Sequence, residues 1–164
     1  MEQKSIQLRL SYANHFNELD GPDRALLNNA VNAASGAYAP YSGFKVGAAV
    51  QLTNGKVVTG NNQENAAYPS GLCAERVAVF AAMSQFPDQK IEAIAITIKT
   101  PGGEIVDPVS PCGACRQVLM EYENLQQKKI RVIFTGETGK AIVVESVSDL
   151  LPLSFTAGNL KYRP

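Results

Sequence analysis

Three cysteines and one glutamate carry the most chemistry in this chain. Cys73-Ala74-Glu75 is followed downstream by Pro111-Cys112-Gly113-Ala114-Cys115, and the two stretches use every cysteine present. Cys112 and Cys115 stand three apart, so on one helical turn their sulfurs can converge on a single metal. A metal-binding cysteine must be a thiolate, and helix N-termini favour thiolates through free N–H groups and the macrodipole. Both stretches read as helix starts, with Pro69-Ser70-Gly71 before the first and Ser110-Pro111 before the second. The expected site is therefore a Zn²⁺ centre, one ion per chain, held by Cys73, Cys112 and Cys115. A closed structural centre needs a fourth protein ligand, and the single histidine, His15, lies in the least organised part of the chain. Three protein ligands with an open position is the catalytic arrangement; a water held there becomes acidic enough to supply hydroxide near neutral pH. Glu75 is not needed as a ligand and can move that water's protons. Three thiolates leave the cluster with surplus negative charge, and Arg76 and Arg116, beside the cysteines, are the candidates to offset it. Spacing alone leaves other readings open. The C-x-x-C element could be a thioredoxin-like redox pair, and Glu75 a solvated first-turn side chain.

The elements that must position these groups follow from patterning. Asp20 can cap a helix with Pro22 in its first turn and Leu26, Leu27, Ala30, Val31 and Ala34 on one face, ended by Gly36. Lys45 to Thr53 and Lys56 to Gly60 are β-rich runs separated by Asn54-Gly55, a hairpin signal. A helix is expected from Cys73 to about Phe86, broken at Pro87-Asp88, then a buried strand over Ile91 to Thr100. The pattern repeats with a helix from Cys112 to Leu125, carrying Val118, Leu119 and Tyr122, and a strand over Ile130 to Thr135. A last strand, Ala141 to Glu145, and a short capped helix at Ser148-Asp149-Leu150-Leu151 close the series. Five strands with interleaved helices predict an α/β fold in which one mixed sheet lies between helices. Ile6, Leu8 and Leu10 alternate, so residues 1 to 14 either add an edge strand or lie across the surface.

The chain has 164 residues, the size of one domain, and 15 basic against 15 acidic side chains give zero net charge. Such a balance gives no reason to expect nucleic acid or an acidic membrane as partner and suits a small, weakly charged ligand. No uninterrupted apolar run suggests export or membrane insertion, and three cysteines fit a reducing compartment, so a cytoplasmic location is expected.

A glutamate beside one zinc-binding position, followed by P-C-x-x-C, matches the zinc-deaminase signature. Further stretches extend the likeness: Tyr41-Ser42-Gly43-Phe44-Lys45-Val46-Gly47-Ala48-Ala49, Asn62-Gln63-Glu64-Asn65-Ala66-Ala67-Tyr68-Pro69, Cys73-Ala74-Glu75-Arg76 and Pro111-Cys112-Gly113-Ala114-Cys115-Arg116-Gln117-Val118. In these motifs, over roughly residues 22 to 155, the chain resembles the small homotetrameric cytidine deaminases. The resemblance implies a three-layer α/β/α sandwich around a mixed five-stranded sheet, in one domain over residues 1–164 with an N-terminal extension at 1–21. It implies hydrolytic deamination of free cytidine and deoxycytidine to uridine and deoxyuridine, a step of pyrimidine salvage. Zinc-bound hydroxide would attack C4, while Glu75 carries protons to N3 and to the departing amino group. Arg76 would hydrogen-bond cysteine sulfurs. By the same likeness Phe44 stacks near the pyrimidine, and Asn62 and Glu64 bind the sugar, Glu64 accepting from the 3′ hydroxyl. A polynucleotide carries a phosphate at that oxygen, so Glu64 selects for free nucleosides. Backbone groups of Ala66 and Cys73 read the base edge, Tyr41 and Tyr68 stand near subunit contacts, and the segment 148–164 reaches a neighbouring subunit's site through Phe155. Gln63 and Leu153-Ser154 depart from the pattern of many relatives. Two competing functions are a deaminase of a related cytosine nucleoside or nucleotide and a zinc-stabilised binding module without turnover.

Overall fold

The computed structural model describes residues 1–102 and 104–160; the last four positions of the expected C-terminal segment, 161–164, lie outside the described residues. Helix α1, Gly21–Ala34, starts where Asp20 Oδ1 accepts from the Asp23 backbone N–H at 2.9 Å, with Pro22 in the first turn. Its buried stripe is Leu26, Leu27, Ala30 and Ala34. Val31, expected on that face, is 46 % exposed, because a 100° step per residue carries it to the margin of the stripe. Strands β2, Lys45–Leu52, and β3, Val57–Asn61, form the expected hairpin. Its turn is one residue wider than a two-residue loop: Gly55 takes the positive φ of 80°, and Asn54 Oδ1 accepts from the Lys56 N–H.

Helix α2, Ala74–Gln85, leads to strand β4, Ile91–Lys99, and α3, Gly113–Gln126, leads to β5, Arg131–Thr135, as the alternating pattern predicts. Strand β6, Ala141–Val144, follows, and then a 3₁₀ turn, Val147–Asp149, stands in place of the expected short helix. The sheet has six strands and not five. The additional one, β1, is Ser11–Ala13, paired antiparallel with β6 through Ser11 and Val143. It covers a sheet edge that would otherwise present unpaired backbone groups. The alternating Ile6, Leu8 and Leu10 lie before this strand and are exposed.

The strand order is β1-β6-β5-β4-β2-β3, with β4 and β5 parallel and every other pair antiparallel. Alternate side chains separate the two faces. Ala49, Ala95, Ile133 and Val143 pack with Leu27 and Ala30 of α1. Ala48, Ile94, Ile96, Val132 and Val144 pack with Ala78 and Val79 of α2 and Leu119 and Met120 of α3. The result is the expected α/β/α sandwich. Helix α2 sits unusually close to the sheet at Gly60, where an added Cβ would lie 2.4 Å from the Ala78 nitrogen and 2.8 Å from the Ala74 oxygen. No described helix is long and apolar enough to cross a membrane.

Candidate active site

Cys73 and Cys112 are the N-cap residues of α2 and α3, and neither thiol caps its own helix. Both sulfurs are thus left free at positively polarised helix ends. Cys115 lies in the first turn of α3, fully buried. The sulfurs of Cys73 and Cys112 are 3.9 Å apart, those of Cys112 and Cys115 3.5 Å, and all three fall within 4.8 Å of one another. A tetrahedral zinc with bonds of about 2.3 Å needs sulfurs about 3.8 Å apart, close to the two shorter separations, so the three residues suit that ion. A disulfide needs sulfurs about 2.05 Å apart, and all three cysteines are free.

The electrostatics of the three sulfurs are shared. A hydrogen bond from Cys115, against the cost of burial and with help from Arg76, holds the Cys73 thiol down to about 5. Donating to Cys73, together with burial, pushes Cys115 well above the usual thiol range. Arg76 Nη2 lies 3.7 Å from the Cys73 sulfur. Arg116 departs from expectation. Its Nε donates to the Pro111 carbonyl at 2.7 Å, Nη1 to the Leu150 carbonyl at 3.1 Å and Nη2 to Ser110 Oγ at 2.8 Å. Adjacency in sequence put it beside Cys115, but its length carries the guanidinium to backbone oxygens, where it ties the Cys112 loop to the C-terminal segment.

Glu75 is 5 % exposed, in the first turn of α2 beside Cys115 and the bulk of the cleft. Burial is the main force raising its carboxyl above the usual range, and the nearby Cys73 charge adds to it. It lines a cleft of 720 Å³ together with Cys73, Arg76 and Cys112 and with Phe44, Asn62, Glu64 and Tyr68. Ile96, Ile98 and Val109 supply apolar lining that motif reading missed. Ile96 and Ile98, at alternate positions of β4, are a signal only once the sheet's order is known, and Val109 comes from the stretch before α3.

The part of the cleft formed by Asn62 and Glu64 is built on backbone. Asn62 Oδ1 accepts from the Val46 N–H at 2.7 Å, and its Nδ2 donates to the Phe44 carbonyl at 2.9 Å. The chain from Asn62 to Glu64 is clamped on both sides, Tyr38 and Glu64 N–H groups bonding across to Asn62 and Tyr38 carbonyls while Gln63 and Leu72 exchange two bonds at 2.9 Å. The carboxylate of Glu64 accepts from the Tyr41 N–H at 2.9 Å, the Ser42 N–H at 3.3 Å and Ser42 Oγ. Those bonds, Ser42 Oγ first, hold its carboxyl below the usual range. Tyr41 and Tyr68 meet edge to face at 6.4 Å. Ala66 and Phe155 are exposed and do not line this cleft among the described residues. The Phe155 carbonyl is held by Gln117 Nε2 at 2.9 Å.

The sequence profile described as the cytidine and deoxycytidylate deaminase zinc-binding region matches residues 21–132, which contain all three cysteines and Glu75. The chain belongs to the cytidine and deoxycytidylate deaminase family. Zinc-dependent deamination is the chemistry of that family. The chain is 42 % identical to the cytidine deaminase of Halalkalibacterium halodurans over 82 % of its length and 95 % of that protein's. It is 40 % identical to that of Sporosarcina psychrophila, covering 84 % and 93 % respectively. The crystal structure of cytidine deaminase from Burkholderia pseudomallei superposes with a TM-score of 0.69 at 42 % identity, over 80 % of this chain and 97 % of that one. Within a deaminase of this family Zn²⁺ is the cofactor, and Cys73, Cys112 and Cys115 form the group among the described residues that could hold it.

Proposed function

We propose that the chain hydrolyses free cytidine and deoxycytidine to uridine and deoxyuridine, releasing ammonia, with Glu75 as the proton carrier. The observation that carries this reading is the burial of the Glu75 carboxyl beside three converging sulfurs in a cleft of 720 Å³, within the size range of small-molecule sites. Cys73, Cys112 and Cys115 would hold the zinc, which when bound would supply the Lewis acidity that makes a water nucleophilic near neutral pH. Glu75 takes a proton from the attacking water and hands it to ring N3. It then takes the remaining proton from the C4 hydroxyl and delivers it to the amino group, which leaves as ammonia, so the water oxygen ends in the C4 carbonyl, one of its protons on N3 and the other in the ammonia. Arg76, whose guanidinium touches the Cys73 sulfur, offsets part of the thiolate charge. A backbone group of Cys73, which lines the cleft as Ala66 does not, reads the edge of the base, and Phe44 stacks on it. Asn62 and Glu64 bind the sugar.

The carboxylate of Glu64 also excludes substrates that continue through a 3′ phosphate, since two anions there repel. We further propose that residues 1–164 act as one deaminase domain in the cytoplasm and that four copies share their active sites. Exposed apolar side chains support the assembly: Tyr41, Tyr68 and Phe155 all stand in water in the single chain. Arg116 and Gln117 bond the carbonyls of Leu150 and Phe155, and in the assembly we propose this segment offers Phe155 to a neighbour's cleft. The test is the ultraviolet absorbance of cytidine, deoxycytidine and cytidine monophosphate with purified zinc-loaded protein. The two nucleosides are expected to be consumed and the monophosphate spared; unchanged spectra for both nucleosides overturn the reading.

A further inference from the structure

Ser42 stands where the two halves of the nucleoside-binding end meet. Its hydroxyl accepts from the Phe44 N–H at 3.0 Å and donates to Glu64 Oε1. A hydroxyl has one proton and two lone pairs, so this single group links the backbone of the base-stacking residue to the carboxylate that meets the sugar. The geometry depends on Gly43, whose φ of 68° folds the chain back between Ser42 and Phe44, and on Asn62, which holds the other side of Phe44 through its carbonyl. Glu64 is then loaded on three sides. Of about four acceptor positions on a carboxylate, the Tyr41 N–H, the Ser42 N–H and the Ser42 hydroxyl take three, which leaves about one for a ligand.

We propose that Ser42 is a positioning residue that sets sugar specificity: by fixing the Glu64 carboxylate it leaves one acceptor aimed into the cleft, enough for a single sugar hydroxyl. The inference rests on the proposed nucleoside deaminase activity and on Glu64 as the acceptor of the 3′ hydroxyl. Glu64 would then recognise one hydroxyl and have no capacity for a second, so the same site serves ribose and deoxyribose. A serine whose role were only to shape the loop would affect every substrate alike.

The discriminating measurement is kcat/KM for deoxycytidine against 2′,3′-dideoxycytidine, which lacks the hydroxyl in question, for the unaltered protein, Ser42→Ala and Ser42→Thr. Unaltered protein is expected to prefer deoxycytidine. Ser42→Ala is expected to reduce that preference about tenfold, whatever loss the two substrates share, because a charge-assisted hydrogen bond to Glu64 is gone. Ser42→Thr keeps the hydroxyl and is expected to restore the preference. Equal preference in the unaltered protein and in Ser42→Ala overturns the role of Ser42 while leaving the deaminase reading intact. Turnover of neither nucleoside by the unaltered protein overturns both.

Discussion

Two arginines beside the cysteines look equivalent in the sequence, yet only one of them reaches a sulfur. Arg76 lies three residues into the cysteine stretch, on the same helical face as Cys73, and its guanidinium comes within 3.7 Å of that sulfur. Arg116 points the other way and bonds three oxygens of the Cys112 loop and the C-terminal segment. The two should therefore fail differently. Arg76→Gln is expected to lower kcat about tenfold with zinc retained, as removal of a cation next to the thiolates weakens the electrophile. Arg116→Gln is expected to act through the C-terminal segment, raising the protease sensitivity of residues after Leu150; metal analysis, steady-state kinetics and limited proteolysis separate the cases. Glu64 supplies a pH test. Its carboxyl is held below the ordinary value of 4.5, chiefly by Ser42, so the ionised form persists as pH falls and is lost only below that value. The preference for deoxycytidine over 2′,3′-dideoxycytidine is thus expected to stay constant from pH 8 down to pH 5; an inflection near pH 6 would show that Glu64 is not held in this way.

The elements place these residues through close contacts that apolar patterning does not reveal. Gly60 lets the first turn of α2, which carries Cys73 and Glu75, rest on β3 with no room for a Cβ. Gly60→Ala is expected to shift that turn, costing about 2 kcal/mol of stability and at least tenfold in kcat/KM, as read by thermal unfolding and kinetics. Glu123 is a second hidden feature. It occupies the apolar stripe of α3, in step with Leu119 and Met120, and is 9 % exposed. Its carboxylate accepts from the Ile130 N–H at 2.8 Å, Ser146 Oγ at 2.6 Å and the Val147 N–H at 2.9 Å, and so fixes the chain that leaves β6 toward Phe155. Glu123→Ala is expected to cost about 3 kcal/mol, a fall in melting temperature of about 10 °C, with kcat/KM of the folded fraction reduced far less. Much was legible beforehand: the helix starts at Cys73 and Cys112, the hairpin at Asn54-Gly55 and the alternation into β4 and β5 all rest on local periodicity and capping. Strand β1 was legible only as one of two alternatives for residues 1 to 14; its place at Ser11–Ala13 was not, because three residues pair with β6 for the sake of its edge and not by their own propensity. Nor were Ser42 and Glu123, whose partners are set by turn geometry and by chain segments distant in sequence.

On the scale of the whole molecule, the sheet serves as a base that brings two helix N-termini together at one cleft. Helices α2 and α3 lie on the same face, packed through Ala78, Val79, Leu119 and Met120, and each delivers an N-cap cysteine to the same point. The net charge of zero is consistent with a neutral nucleoside and gives no broad field to attract polyanions. The exposed Tyr41, Tyr68 and Phe155 give the assembly its proposed contacts, and sedimentation is expected to report four copies. The central claim is that three cysteines hold the metal while Glu75, which does not, moves the protons. Zinc content and cytidine turnover measured on the same preparation of Glu75→Gln test it directly. The expected result is about one zinc per chain, an unaltered fold and turnover reduced at least a thousandfold; turnover near that of the unaltered protein, or loss of the zinc, would contradict it.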